Sequence, residues 1–385
     1  MVSFELTQDQ LEWQKKTRAF VEKEVKPAGL RIDRNPDHKS RFDWDIIKKL
    51  AKEGIWALYI PKEYGGAGLD ALTLAIIQEE IAAGDAGIAF TAALTWFSYI
   101  QFGGREEQKR KYIPPFCDRE NPKLSAMGLT EPGSGSDPAS ISTTAKLEGD
   151  EYVINGTKCF FTNGGLADPY VIIATADRSK GARGISAFVV PADAKGLSIG
   201  KVEDKMGFRS SQTTELSLKD VRVPKEDLLG EEGRGLTIAL ASIDFARVLN
   251  AGVLGVGLAR AAYETALGFA RERVRFDKAG LEQQTISFAL VDMATTIEAG
   301  RLLAWKCCSM MDSNVPYTTM GAMTKLFGSD LAVKVTTDAV QIVGLHSYSD
   351  QYPVEKYMRD AKLLQIYEGT NQVQRVIVAR QLIAS

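Results

Sequence analysis

The chain has 385 residues, 45% of them hydrophobic and 25% charged, with a formal net charge of −2. That is ordinary globular composition, with apolar material for two or three domains. Near-balanced, interspersed charge leaves no basic stripe for nucleic acid, and no unbroken apolar run reaches the roughly 18 residues that suggest a membrane span.

The N-terminus, Met1-Val2-Ser3-Phe4-Glu5, has the pattern of neither a signal peptide nor an Arg-rich transit peptide, so a cytoplasmic protein is expected. Residues 1–119 are predicted to be helical. Leu6, Leu11, Phe20, Val21 and Val25 recur near helical spacing, as do Ile46, Ile47, Leu50, Ile55 and Leu58. A Gly-rich break at 61–68 precedes an apolar stretch from Leu72 to Ile100, interrupted by Gly84 and Gly87.

Across residues 120–230 the pattern shortens to strands. Residues 147–156 predict a hairpin around Gly149-Asp150. Tyr170–Thr175 and Ile185–Val190 are short runs rich in β-branched or aromatic residues, and Leu216, Leu218, Val221 and Val223 alternate around Lys219-Asp220. Strands at this spacing predict a compact β-barrel or sandwich. Asn155-Gly156-Thr157 is expected to be a turn.

From 231 to 385 long helices return, over Leu236–Arg273, Gln284–Met311, Thr318–Val343 and Thr370–Ile383. Gly252, Gly255, Gly257 and Gly268 suit close helix packing in a helix bundle. Helices, then strands, then helices do not make an alternating α/β fold. There is neither GxGxxG nor GxxxxGK[ST], which disfavours a Rossmann-type dinucleotide enzyme.

The side chains available for chemistry are few in kind. His38 and His346 are the only histidines, which removes most zinc sites and most Ser-His or Cys-His nucleophiles. Cys117, Cys159, Cys307 and Cys308 have no CxxC spacing and read as free thiols. Acid–base work therefore falls to carboxylates, and harder chemistry to a cofactor.

Two runs stand out: Leu129-Thr130-Glu131-Pro132-Gly133-Ser134-Gly135-Ser136-Asp137, and Gln365-Ile366-Tyr367-Glu368-Gly369-Thr370-Asn371-Gln372. In this order and at this distance they resemble the acyl-CoA dehydrogenase family, and the resemblance covers nearly the whole chain. It implies an N-terminal helical domain, a middle β-barrel-like domain and a C-terminal four-helix bundle around FAD and an acyl-CoA thioester. It makes Glu368 the base that removes the proton alpha to the thioester.

The same resemblance sets Leu129, Thr130 and Ser136 against the cofactor, with Ser136 also near substrate. Phe160 and Thr162 become flavin-facing, Arg273 meets the FAD pyrophosphate across a subunit boundary, and Phe276, Gln284, Gln341 and Gly344 are further cofactor contacts. Thr370 and Gln372 complete the cofactor set. Asp244, Arg247, Gly369 and Arg380 fall at CoA-contacting positions. Asp277 and Leu345 stand where the family usually has glycine, and Ala246 stands where some relatives carry their base.

On their own, Thr130–Asp137 also reads as a polar loop, Arg273 as a helix-end cation, and Asp244–Arg247 as an exposed i, i+3 pair. Phe90, Trp96, Phe97 and Tyr99, with Thr91 and Thr95 between them, would shorten an acyl pocket if they face it. A compact acyl group (short, branched or cyclic) is then expected over a long chain, and the lack of an arginine between Ala86 and Ile100 disfavours a dicarboxylate. The implied partner is an electron-transfer flavoprotein, and the implied assembly a homotetramer. Three other readings remain at this point: an enoyl-CoA reductase, an oxidase, and a catalytically silent acyl-CoA-binding protein.

Overall fold

A computed structural model describes residues 5–92, 98–275 and 278–384. Trp96, Phe97 and Thr95 of the expected acyl-pocket set lie outside the described residues, as do Phe276 and Asp277.

The N-terminal region is helical. Helix α1 (Gln8–Phe20) starts on a capping box, in which Thr7 and Gln10 satisfy each other's backbone N–H groups. It runs through a π turn at Val21–Val25 into α2 (Lys26–Asp33). Helix α3 (Trp44–Lys52), capped by Asp43, buries Ile46, Ile47 and Leu50. The apolar stretch after the Gly-rich break forms α4 (Ala71–Gly84), α5 (Ala86–Ala92) and α6 (Ser98–Gly103), followed by α7 (Glu106–Tyr112). Helix α4 is buried almost all round, so its Glu79 and Glu80 need partners. Arg260 and Arg301 reach Glu79, while Arg18 and Arg260 reach Glu80.

The middle region is one seven-stranded sheet: β1 (Ala126–Gly128), β2 (Thr144–Glu148), β3 (Glu151–Thr162), β4 (Tyr170–Thr175), β5 (Ile185–Val190), β6 (Leu197–Val202) and β7 (Thr213–Pro224). The order is β1-β4-β2-β3-β7-β6, with β5 paired to β4. The β2–β3 hairpin turns at Gly149-Asp150, where Gly149 takes φ +64°. Asn155-Gly156-Thr157 is not a turn. It is an irregularity inside β3, where the register against β7 shifts between Ile154 and Gly156.

The C-terminal region begins with α8 (Gly235–Arg247), which passes through a π turn at Val248–Val253 into α9 (Leu254–Glu272). A short pair, β8 (Val274–Arg275) and β9 (Lys278–Ala279), leads to α10 (Gln284–Asp312), α11 (Thr318–Val343), α12 (Val354–Leu364) and α13 (Asn371–Ala384). The Gly235–Glu272 stretch is long and apolar enough to cross a membrane, but 78% of its most apolar window is buried inside the protein. Its glycines explain the close packing. A Cβ on Gly252 would meet Thr324 Cγ2 at 2.5 Å, one on Gly255 would strike the Gly328 carbonyl, and one on Gly257 the Glu79 carbonyl. Gly268 has no such neighbour. Helix α11 therefore lies directly on the π turn, backbone against backbone.

Candidate active site

Glu368 sits between α12 and α13 in a loop that holds two successive left-handed residues, Glu368 at φ +52° and Gly369 at φ +86°. Glycine adopts this conformation freely, whereas glutamate is strained in it. The loop is held from three sides. Gln374 donates to the Glu368 and Gly369 carbonyls at 3.1 and 2.8 Å. Asp330 of α11 accepts from Gln365 and from Asn371, both at 2.7 Å. The Tyr367 hydroxyl donates to the carbonyl of Asn250 in the π turn.

The turned backbone aims the Glu368 carboxylate into the protein. Asn250 Nδ2 donates to its Oε1 at 3.4 Å, and its buried Oε2 has no hydrogen-bond partner among the described residues. Burial pushes this carboxyl up to about 7, against the opposing pull of Asn250 and of the Arg247 and Lys325 charges. The Glu368 N–H has no acceptor among the described residues. Phe90 packs on Tyr367, ring centroids 5.2 Å apart, and Phe208 touches both rings. Tyr99, fully buried, is near enough to feel the Glu368 charge. Asp244 and Arg247 are not an exposed pair. Arg247 is buried, bonded to Asp244 at 2.9 Å and to Gln374 at 3.1 Å, so it reaches the Glu368 loop through Gln374.

The second motif is organised around Glu131, a residue not singled out from the sequence. Its buried carboxylate lies 2.7 Å from the Nζ of buried Lys158 and accepts from Ser142 and Thr143. Burial alone would raise Glu131, but these partners outweigh it and hold the carboxyl at about 2. Lys158 Nζ also donates to the Leu129 carbonyl, and the Cys159 N–H to the Thr130 carbonyl. The loop is thereby stapled to β3. Next along β3, Phe160 takes φ +49° where the register against β7 shifts. The shift turns its ring outward, 67% exposed, while Lys158 and Phe161 stay buried. Thr162 is half-buried at the strand end, and Ser136 is exposed.

Models of the acyl-CoA dehydrogenase N-terminal, middle and C-terminal domains match residues 7–120, 126–221 and 233–383. The chain belongs to the acyl-CoA dehydrogenase family. It is 41% identical to the short-chain specific acyl-CoA dehydrogenase of Clostridium acetobutylicum, over 99% of this chain and all of that one. Its fold matches the butyryl-CoA dehydrogenase of Megasphaera elsdenii at a TM-score of 0.93 and 41% identity, covering 99% and 100% of the two chains. A chain in the structure of the electron transferring flavoprotein of Acidaminococcus fermentans, determined in work on flavin-based electron bifurcation, matches at 0.94 and 41% identity over the full length of both. Like its family, this acyl-CoA dehydrogenase is an FAD enzyme.

The residues present fit a flavin. Phe160 offers an outward aromatic ring, Thr130 and Thr162 are half-buried hydroxyl residues, and Gly133 and Gly135 are open around any added Cβ; the Thr130 loop is tied to β3 beside Phe160 through the Cys159 N–H. The remaining expected contacts group elsewhere. Arg273 stacks on Phe269, 5.1 Å from the ring centroid, and Phe269 packs on His346 and Tyr352, just beyond Gly344. Gln284, Gln341, Gln372 and Arg380 are exposed, with no described contact to the Glu368 carboxylate. Gly369 is half-buried, and the Thr370 hydroxyl caps α13 by accepting from the Val373 N–H. Gly344 takes φ +69°, ψ −139°, a conformation open to glycine. Leu345 needs no glycine: it continues as a 3-10 turn and is 88% exposed. Sequence reasoning also passed over Asn250 and Lys325, because an Asn and a Lys inside apolar helices carry no motif.

Proposed function

We propose that this acyl-CoA dehydrogenase oxidises a compact acyl-CoA thioester to the 2-enoyl-CoA, with Glu368 removing the alpha proton. One observation carries the reading: a half-buried glutamate on a strained backbone, with one carboxylate oxygen buried and unpartnered. That burial moves its pKa up to about 7. A solvated glutamate, with a pKa near 4.3, is too weak a base for a thioester alpha proton, and raising the pKa narrows that mismatch. The Glu368 N–H is available to the thioester oxygen as negative charge develops there. FAD, when bound, accepts the beta hydride. Thr130, Thr162, Phe160, Leu129, Ser136, Thr370 and Gln372 would hold it from one subunit, and Arg273, Gln284, Gln341 and Gly344 from another. Asp244, Arg247, Gly369, Ser136 and Arg380 would hold the CoA ester.

Buried Phe90 and Tyr99 beside the Glu368–Tyr367 loop support a short acyl cavity, as do the relatives named for short-chain and butyryl substrates. Electrons would pass to an electron-transfer flavoprotein. A second reading, enoyl-CoA reduction with that same partner, is favoured by the likeness to the bifurcation-related chain.

Anaerobic titration with short linear, branched, cyclic and long acyl-CoA esters tests both readings. Bleaching of flavin absorbance near 450 nm by a compact ester is expected. Bleaching by a long ester alone would overturn the compact reading, and bleaching by none would favour the reductase. Glu368→Gln is expected to keep flavin and lose turnover; near-wild-type activity would remove Glu368 from the chemistry.

A further inference from the structure

Lys325 is a lysine in an unusual place. It lies in the middle of α11 with no exposed surface, where α11 packs on the π turn. A buried ammonium is costly unless paired, yet among the described residues no carboxylate lies within ion-pair distance. Among the described residues its Nζ donates to a neutral acceptor, Asn371 Oδ1, at 2.7 Å. Asn371 is itself buried. It takes a bond from the Ser329 hydroxyl at 3.0 Å, donates to Asp330 at 2.7 Å, and its N–H donates to the Gln365 carbonyl at 3.0 Å. This last bond closes the loop that contains Glu368, and Asn371 opens α13 directly after it. The cation therefore sits at the N-terminal, positive end of a helix, an unfavourable position if folding alone were at issue.

We propose that Lys325 is a positioning residue for the base: it clamps the Gln365–Asn371 loop through Asn371 and supplies the positive charge that keeps Glu368 ionisable. The clamp and the charge act on the same loop. Groups facing Glu368 are Arg247 from α8, Asn250 from the π turn, Tyr99 from α6, its neighbour Tyr367, and Lys325 from α11. Groups facing Lys325 are Glu368, Arg247 and Asp330. Arg247 is already bonded to Asp244 and Gln374, so its charge is shared, whereas that of Lys325 has no anion in contact. Burial drives Lys325 down to about 8 against the lift from Glu368. The two groups thus favour each other's charged forms near neutral pH, and the field on Glu368 weakens as Lys325 loses its proton.

The inference rests on Glu368 being the base, and the experiment separates the two ideas. Flavin-loaded Lys325→Gln retains a donor for Asn371 but no charge; Lys325→Met retains neither. For Lys325→Gln, the acid limb of kcat against pH is expected to move upward by roughly half a unit or more, with KM changing less than kcat. Lys325→Met is expected to show the same shift with a further loss of kcat that Lys325→Gln rescues. Acid limbs identical to wild type in both variants, after normalising to flavin content, would overturn the proposal, provided Glu368→Gln is inactive. An active Glu368→Gln would fail the base assignment instead. Should the Lys325 variants not fold, Asn371→Asp gives Lys325 a direct anion and adds negative charge beside Glu368. Its acid limb is expected to rise, and an unmoved limb counts against the proposal.

Discussion

Glu368 shows function set against stability at a single side chain. Its folded pKa, about 7, lies above the 4.5 of an ordinary glutamate. Below pH 4.5 the group is protonated whether folded or not, and costs nothing. As pH rises from 4.5 to 7 the unfolded chain ionises first, so stability is lost through that window and stays lost above it. Glu368→Gln is therefore expected to be more stable than wild type at pH 8, by about 1–3 kcal/mol, and no more stable at pH 4. Urea unfolding at the two pH values checks this, and an equal difference at both would contradict the assigned shift. Wild-type kcat should rise with pH through an acid limb near 7, because the base must be ionised to act. Of this residue the sequence shows the identity and the motif around it. The left-handed backbone and the setting of the carboxylate depend on Asn250 and Asp330, which arrive from elements far along the chain, and on Gln374.

At the level of elements, strands and helices were the most legible part. Tyr170–Thr175, Ile185–Val190 and Thr318–Val343 fall where the residue pattern puts them, since β-branched runs and long apolar periods are local signals. What escaped is the irregular backbone: the shift in β3 at Phe160 and the π turn at Val248–Val253. Neither has a local sequence cause that a period could reveal. Both are held by side chains packed from elsewhere, as the Glu131–Lys158 staple shows. Lys158→Met would leave the Glu131 carboxylate buried without its cation, and a loss of about 3–5 kcal/mol is expected. The Thr130–Asp137 loop should loosen with it, so flavin retention on gel filtration should fall before the rest of the fold melts. A variant that keeps full flavin and wild-type stability would show the pair to be dispensable. Replacing both members with apolar residues should recover much of the stability.

Across the whole molecule, charged networks join the three regions. Buried Lys356 of α12 lies 2.8 Å from Asp85, between α4 and α5, and 2.6 Å from Asp360. Asp360 accepts from the Phe208 N–H in the middle region at 2.6 Å, and Ser210 donates to Asp85. Beside it, Arg359 grips Asp33 at the end of α2 with two bonds, at 2.6 and 3.0 Å. Lys356→Met would strand two carboxylates in the interior, with an expected loss of about 3–5 kcal/mol; a urea midpoint unchanged from wild type would refute this. The single chain also leaves apolar groups outside. Tyr348, Ile383, Phe288 and Val291 are all more than half exposed, as is Leu345. The tetramer implied by the family would cover such groups, and light scattering of the purified flavoprotein should return four chains' mass; a monomer would reject it. These long-range couplings are the part a linear reading reaches least, because Asp85, Phe208 and Asp360 share no spacing that marks them as neighbours.

The π turn at Val248–Val253 has a consequence for how the chain tolerates change in length. A π turn carries one residue more than the α-helix it interrupts. Each residue of the turn rotates less than in an α-helix, so the extra one is absorbed locally and the flanking helices keep the facing they would have without it. Removing a single residue there would let α8 and α9 run on as one regular helix, with Arg247 and Asp244 still turned toward the Glu368 loop. The bulged backbone would go, and with it the seat of Asn250, whose carbonyl receives the Tyr367 hydroxyl and whose amide reaches Glu368. The smallest deletion in the bundle would thus spare the frame of the pocket and unseat the support beside its base.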